Sequence, residues 1–351
     1  MAIIEKIPAL NGIRAIAVLL VVISHSGFGH IIPGGFGVTV FFFLSGFLIT
    51  TLLLNEFRET QKISILHFFI RRILRLYPAF LVAISLVYSL AYFEIIGGKA
   101  TLVGAFAQFF YFANYFNIFF DGAQYTPAGT SVYWSLAVEE HFYLIYPLIF
   151  SLCLMKMDAK KLLVFLFSLI LAVFFWRIYL QQVFEVNDGR ILYATDTRID
   201  SIIFGCLLAL LKNPIDEIGK REFTLQDLFL IVFTLGGIVA TFLVRDEVFR
   251  LTLRYSAQGL LLSVLFYYAI AFYKHRLFSF LNSRILNIIG IYSYSIYLFH
   301  FTVIEIVQVN YPQVSQKYSL LPIVLMVSIF MSALVFKFIE SPLKKYRKKY
   351  R

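Results

Sequence analysis

The chain has 351 residues, of which 60% are hydrophobic, 18% aromatic and only 15% charged, with a mean hydropathy of +0.81. That composition excludes a soluble globular domain, because apolar runs recur from end to end and a run of about 18 or more reads as a membrane helix. A formal net charge of +11 invites a nucleic-acid reading, but the basic residues sit in short loops between apolar runs. The positive-inside rule accounts for that pattern without a polyanionic partner.

Apolar segments fall near 12–30, 34–54, 77–96, 102–118, 134–155, 162–183, 199–211, 226–244, 255–273, 286–308 and 319–340. The first follows only Lys6 as a basic flank, lacks an Ala-x-Ala-like cleavage site and contains Arg14, so a retained helix is expected rather than a signal peptide. Arg14 and His25 are both costly in an apolar segment. Eleven residue steps make roughly 1100°, about 20° beyond three full turns, and roughly 16 Å along a helix. Uniform helix would therefore put both on one face.

The 55–76 loop holds Arg58, Lys62, Arg71, Arg72 and Arg75, which places it and the N-terminus in the cytoplasm. Parity then tests 102–118. If it spans, the loops around Lys156, Lys160 and Lys161, around Lys212, Lys220 and Arg221, and around Lys274, Arg276 and Arg284 face outward. If it does not, those loops and the basic tail (Lys344, Lys345, Arg347, Lys348, Lys349, Arg351) are all cytoplasmic. The loops then outside hold only Arg190, Arg198, Arg245, Arg250, Arg254 and Lys317, which fits the charge bias far better. The expectation is an all-α, polytopic membrane bundle of about ten spanning helices with both termini inside. Segment 102–118 is then re-entrant or lies at the outer interface. The loops 55–76 and 119–133 are too short for an independent core, and no soluble domain is expected at either end. No internal repeat is visible, which counts against a secondary transporter.

Several groupings along these segments can carry chemistry. His25 is flanked by Ser24 and Ser26, and an imidazole near the outer leaflet can take a proton from a sugar hydroxyl. Arg71, Arg72 and Arg75 lead into Leu76-Tyr77-Pro78 at the mouth of the third helix. They read either as an ordinary cytoplasmic flank or as a fork for phosphates. In Trp134-Ser135-Leu136-Ala137-Val138-Glu139-Glu140-His141, Ser135 and Glu139 share a stripe with Tyr143 and Tyr146. Glu139 is the interior carboxylate on that stripe. It is open between catalysis and an ion pair with Arg14 or Arg198. Arg198-Ile199-Asp200 opens a short span and either pairs locally or contacts an acceptor. Ser293, Tyr297 and His300 share one face of the stretch Gly290 to His300, and Glu340-Ser341-Pro342 ends the last helix with a cap or loop salt bridge. Cys153 and Cys206 lie in apolar surroundings and read as buried small hydrophobes, with no metal-ligand spacing.

Taken in order, seven short motifs resemble the membrane-bound acyltransferase-3 family over about residues 7 to 343. They are Asn11-Gly12-Ile13-Arg14 with His25, Phe43-Leu44-Ser45-Gly46-Phe47, Arg71-Arg72 with Arg75-Leu76-Tyr77-Pro78, and Trp134-Ser135-Leu136 leading to Glu139 and Phe142-Tyr143. Arg198-Ile199-Asp200 with Gly205, Ser293 to His300, and Glu340-Ser341-Pro342 complete the series. The resemblance implies transfer of an acyl group, most often acetyl, from cytoplasmic acyl-coenzyme A to a carbohydrate hydroxyl at or beyond a bacterial cell membrane. It implies an acyltransferase domain over 1–343 with a basic tail at 344–351, in a stand-alone form, and no metal. It also implies Arg14 and His25 as essential, with His25 as base or, alternatively, as an acyl carrier. The expected roles are then Arg71, Arg72 and Arg75 on the coenzyme A phosphates, Glu139 beside His25, and Trp134, Arg198, Asp200, Tyr297 and His300 around the acceptor. His141 stands where the family more often has glutamine, and Ser341 where a lysine or arginine is common, which leaves the partner of Glu340 open. A carrier or flippase for a lipid-linked saccharide is the competing class. A purely structural or sensory protein leaves the charged residues inside spans without a task.

Overall fold

The computed structural model describes residues 7–156, 159–315 and 319–350. Lys6, Lys317, Arg351 and the Lys156 side chain, which enter the charge argument, lie outside the described residues. In chain order the helices are α1 (Pro8–Ile23), α2 (Gly34–Thr60), α3 (Ile65–Tyr92), α4 (Leu102–Phe109), α5 (Ala113–Phe120), α6 (Trp134–Lys156), α7 (Ala159–Gln182) and α8 (Asp188–Tyr193). They continue as α9 (Thr195–Leu211), α10 (Leu225–Leu243), α11 (Glu247–Leu251), α12 (Leu253–Ala271), α13 (Arg284–Asn310), α14 (Pro312–Ser315), α15 (Leu320–Val335) and α16 (Ser341–Arg347). Among the described residues the only strand-like feature is an isolated bridge between Gly98 and Pro127.

Eight helical stretches are long and apolar enough to cross a membrane: Pro8–Phe28, Gly34–Thr60, Ile65–Tyr92, Ala128–Leu154, Lys160–Gln182, Leu225–Leu243, Arg284–Asn310 and Leu320–Tyr350. The other two expected spans exist as α9 and α12 but fall short of that standard. The 17 residues of α9 reach roughly 26 Å, less than the ~30 Å of a hydrocarbon core. α12 carries Arg254, Ser256 and Gln258 near its start. Segment 102–118 does not form one helix: α4 and α5 have eight residues each, about 12 Å apiece, and are separated by a turn in which Tyr111 has φ 55°. No single helix there can cross, as the charge parity requires. Its outer side is strongly apolar, with Leu102, Val103, Phe106, Phe110, Phe119 and Phe120 exposed.

The chain divides into two compact units, and α1, α2, α6 and α13 each contribute to both. One unit comprises Met1–Arg14, Val38–Ile63 and Val138–Ile288. Its centre is a close crossing of α2 and α9. A Cβ on Gly46 would sit 1.9 Å from the Ile202 carbonyl oxygen, and one on Gly205 1.9 Å from the Phe43 carbonyl oxygen. Only a residue without a side chain fits at either position, so both glycine-bearing motifs are packing signals. Phe43 then packs on Phe266 of α12 with ring centroids 4.5 Å apart. Cys153 and Cys206 are buried free thiols in this unit, as their apolar neighbours predict.

The second unit comprises Ala15–Gly37, Ser64–Ala137 and Ile289–Arg351. Here the 3₁₀ turn Ala128–Tyr133 is wedged between two helices: a Cβ on Gly129 would meet Val87 of α3 and Thr302 of α13. Phe80 of α3 packs on both Tyr111 and Tyr133, at 5.0 and 5.5 Å between centroids. Two π-helical turns interrupt the regular helices, Ser24–Phe28 after α1 and Phe336–Glu340 after α15. The basic tail is ordered onto this unit through Tyr350, whose carbonyl accepts from Arg71 Nη1 at 2.5 Å.

Candidate active site

His25 lies on the first π turn, not on α1. Ser26 (φ −84°, ψ 25°) and Gly27 (φ 101°) leave helical geometry there, and the positive φ is one that glycine adopts freely. α1, which carries Arg14, ends at Ile23, and His25 stands two residues beyond it, just before the chain leaves helical geometry.

The ring of His25 meets His300 of α13. Their Nδ1 and Nε2 atoms are 2.9 Å apart, with ring planes 5° from parallel and centroids at 5.2 Å. For planes this close to parallel, a 2.9 Å atom pair limits the spacing between planes to less than a stacking distance, so the rings meet edge to edge. The other nitrogen of His300, Nδ1, is 2.7 Å from the backbone carbonyl of Tyr297. A carbonyl only accepts, so Nδ1 carries the hydrogen. In the neutral ring Nε2 is then an acceptor, which requires His25 to donate from its own Nδ1. The proton order is thereby fixed from the main chain outward, and His25 Nε2 is left with its lone pair.

His300 is fully buried and Tyr297 is 6% exposed. The Tyr297 hydroxyl donates to the Val132 carbonyl at 3.0 Å and lies 2.7 Å from Ser135 Oγ. Both residues, expected around the acceptor, have hydrogen-bond partners within their own unit. Trp134, the first residue of α6, is half-buried beside Ser135.

At the second π turn, Glu340 Oε1 accepts from Ser295 Oγ at 2.6 Å, with Arg75 and Arg347 as its neighbouring cations. These replace the basic partner that Ser341 cannot supply. Of the arginine cluster, Arg71 bonds to Tyr350 and Arg72 lies 5.6 Å over the Phe68 ring. All three arginines are half-buried on α3.

The other expected residues belong to the first unit. Arg14 Nη1 donates to Asn11 Oδ1 at 3.2 Å, and Asn11 Nδ2 to Asn287 Oδ1 at 2.7 Å. Glu139 Oε2 accepts from the Tyr143 hydroxyl at 2.5 Å, which is also 2.9 Å from Ser45 Oγ. His141 contacts Thr195 Oγ1 at 2.7 Å. Arg198 donates to the Leu192 carbonyl and to Thr39 Oγ1, and its guanidinium lies 3.9 Å over the Tyr255 ring. Asp200 was expected at the acceptor. The structure buries it completely in an ion pair with Arg177 at 2.8 Å, with Ser256 donating to the same oxygen at 3.0 Å. No face of that carboxylate is left for an acceptor. Sequence reasoning passed over Arg177, although a lone arginine within the apolar run 162–183 was its signal.

Among the described residues no group of three or more His, Cys, Asp or Glu side chains could hold a metal. A histidine pair with an ordered proton sequence, three half-buried arginines and a mostly apolar helical frame suit proton transfer and phosphate binding. A family model described as "Acyltransferase domain" matches residues 7–339. The chain is 32% identical to the O-acetyltransferase OatA of Staphylococcus aureus strains NCTC 8325 / PS 47, COL and MRSA252, over 97% of its own length. It spans 57% of the length of these curated relatives. No solved structure matches the chain. With the family model covering every one of the motifs except the last, Glu340-Ser341-Pro342, the chain belongs to the acyltransferase-3 family.

Proposed function

We propose that the chain is an integral membrane O-acyltransferase. It moves an acyl group, acetyl by default, from cytoplasmic acyl-coenzyme A to a hydroxyl of a cell-envelope or exported carbohydrate. The membrane is the bacterial cell membrane and both termini are cytoplasmic. The family match and the relatives named O-acetyltransferase support the reaction class. The observation that carries the mechanism is the sequence of contacts Tyr297 carbonyl, His300, His25, which leaves His25 Nε2 as a base.

His25 Nε2 takes the proton of the acceptor hydroxyl as its oxygen attacks the thioester carbonyl. The new C–O bond forms, the C–S bond breaks, and the coenzyme A sulfur leaves and recovers the proton from His25. His300 accepts from His25 Nδ1–H throughout and steadies the imidazolium that forms. Arg71, Arg72 and Arg75 bind the donor phosphates, Arg14, Glu139 and Arg198 hold the polar interior of their own unit, and Trp134 serves the acceptor.

The test is acetyl-coenzyme A turnover by the full chain in lipid nanodiscs, read as free thiol. His25→Ala is expected to lower it about 10²- to 10⁴-fold, the usual range for a general base. Unchanged turnover in folded His25→Ala protein removes His25 from the chemistry. Movement of a lipid-linked saccharide without thiol release would replace this reading with a carrier.

A further inference from the structure

Buried hydroxyls without partners are uncommon, because a phenol taken out of water loses its hydrogen bonds unless something replaces them. In the unit that holds the histidine pair, such hydroxyls among the described residues include Ser26, Tyr88, Tyr133 and, on α15, Ser328. Tyr133 is only 2% exposed and Ser26, the neighbour of His25, only 4%. Tyr297 makes the contrast, since its hydroxyl is fully engaged with Val132 and Ser135.

The unpartnered phenols are not scattered. The electrostatic neighbours of the Tyr133 hydroxyl are Tyr88 and Tyr297. Tyr133 ends the 3₁₀ turn whose Gly129 is wedged between Val87 and Thr302. Val87 precedes Tyr88 on α3, and Thr302 follows His300 by two residues on α13. Tyr297 in turn holds His300 through its backbone carbonyl, and its ring centroid lies 5.4 Å from that of His300. Two phenolic donors with nothing to donate to thus share a neighbourhood with the base.

We propose that Tyr133 and Tyr88 donate their hydrogens to an oxygen of bound substrate, either the acyl carbonyl of the donor or a hydroxyl of the acceptor. The inference rests on the acyl-transfer reading and deepens it by naming two further substrate-binding residues. Converging donors aimed at one oxygen are the arrangement that stabilises a carbonyl as it gains charge, or that orients an attacking hydroxyl. An ordered water is the other occupant these hydroxyls allow.

The test uses Tyr133→Phe, Tyr88→Phe and the double variant of the full chain. Steady-state transfer is measured from acetyl-coenzyme A to methyl N-acetylglucosaminide as probe acceptor. Melting temperatures are taken with and without acetyl-coenzyme A. Because each substitution removes only an unpaired hydroxyl, wild-type melting temperatures are expected, together with at least a tenfold loss in kcat/KM. A loss in kcat, or in the stabilisation given by acetyl-coenzyme A, assigns the oxygen to the donor carbonyl; a raised KM for the glycoside assigns it to the acceptor. Wild-type kinetics in both variants overturn the inference and leave the acyl-transfer reading standing, with water as the occupant. A melting temperature lowered by several degrees also overturns it, since the hydroxyl then has a structural partner. No thiol release from wild type, with identical acetyl-coenzyme A stabilisation in all variants, overturns both.

Discussion

Replacing His300 tests whether the histidine pair works as a unit. His300→Leu puts an apolar side chain of similar bulk at a fully buried position and removes the acceptor 2.9 Å from His25 Nδ1. His25 can then hold its hydrogen on Nε2, the wrong nitrogen for a base, and the imidazolium formed in the transition state loses a hydrogen bond. Bonds to charged groups contribute about 1.5–3 kcal/mol, and each ~1.36 kcal/mol is a factor of ten in rate. The expected fall in kcat is therefore about 10- to 150-fold, with KM for acetyl-coenzyme A within about twofold. The assay is thiol release in nanodiscs, with melting temperature as the folding control. His300→Gln supplies a carbonyl oxygen as a substitute acceptor and is expected to recover part of the loss. The His25→Ala/His300→Leu double variant should be no slower than His25→Ala alone, because residues acting as one device are not additive. Independent, multiplicative losses would refute the argument, as would a His300→Leu enzyme with wild-type kcat.

Two further expectations concern the frame rather than the chemistry. Gly46→Val places atoms where the Ile202 carbonyl already sits, 1.9 Å from the built Cβ. It should destabilise by about 1–3 kcal/mol or more in denaturant titrations of detergent-solubilised protein; wild-type stability would refute the close crossing of α2 and α9. Arg177→Leu strands the fully buried Asp200 and should cost about 3–5 kcal/mol. The paired Arg177→Met/Asp200→Leu variant should recover most of that, and equal damage from both would show that the pair is not the reason for their burial.

The helical, membrane-spanning class was legible because hydropathy and length are properties of each segment by itself. Basic-loop parity even separated 102–118 from the spans, and two eight-residue helices there bear that out. Burial of Cys153 and Cys206 followed from their neighbours in the chain. What composition could not supply was pairing over long sequence distances. His25 with His300, Asp200 with Arg177 and Glu340 with Ser295 join residues from separate helices. Asp200 is the instructive case. A carboxylate in an apolar span reads as functional by default, yet the arginine that neutralises it lies in another span with no local mark of the connection. The π turn at His25 was hidden for a different reason. Gly27 is ordinary in sequence, and only its φ of 101° shows that helical geometry is left just after the histidine.

The Gly290–His300 stretch shows why a one-face reading of a helix can be right about residues and incomplete about their work. Ser293, Tyr297 and His300 are all buried, as one shared stripe requires. Yet four polar residues of this stretch reach four different elements. Tyr294 donates to the Leu76 carbonyl on α3, Ser295 to Glu340, Tyr297 to Val132, and His300 holds His25. At about 100° per residue these positions point around the whole helix rather than along one side. Two of the four partners, His25 and Glu340, sit on the two π turns of this unit. A π turn carries its side chains off the register of the helix it interrupts. In each case an ionisable side chain of the turn, His25 or Glu340, is met by a partner on α13. The regular helix therefore acts as the reference against which both irregular turns are positioned, and the imidazole at residue 25 inherits its orientation, through His300, from a backbone carbonyl of that helix.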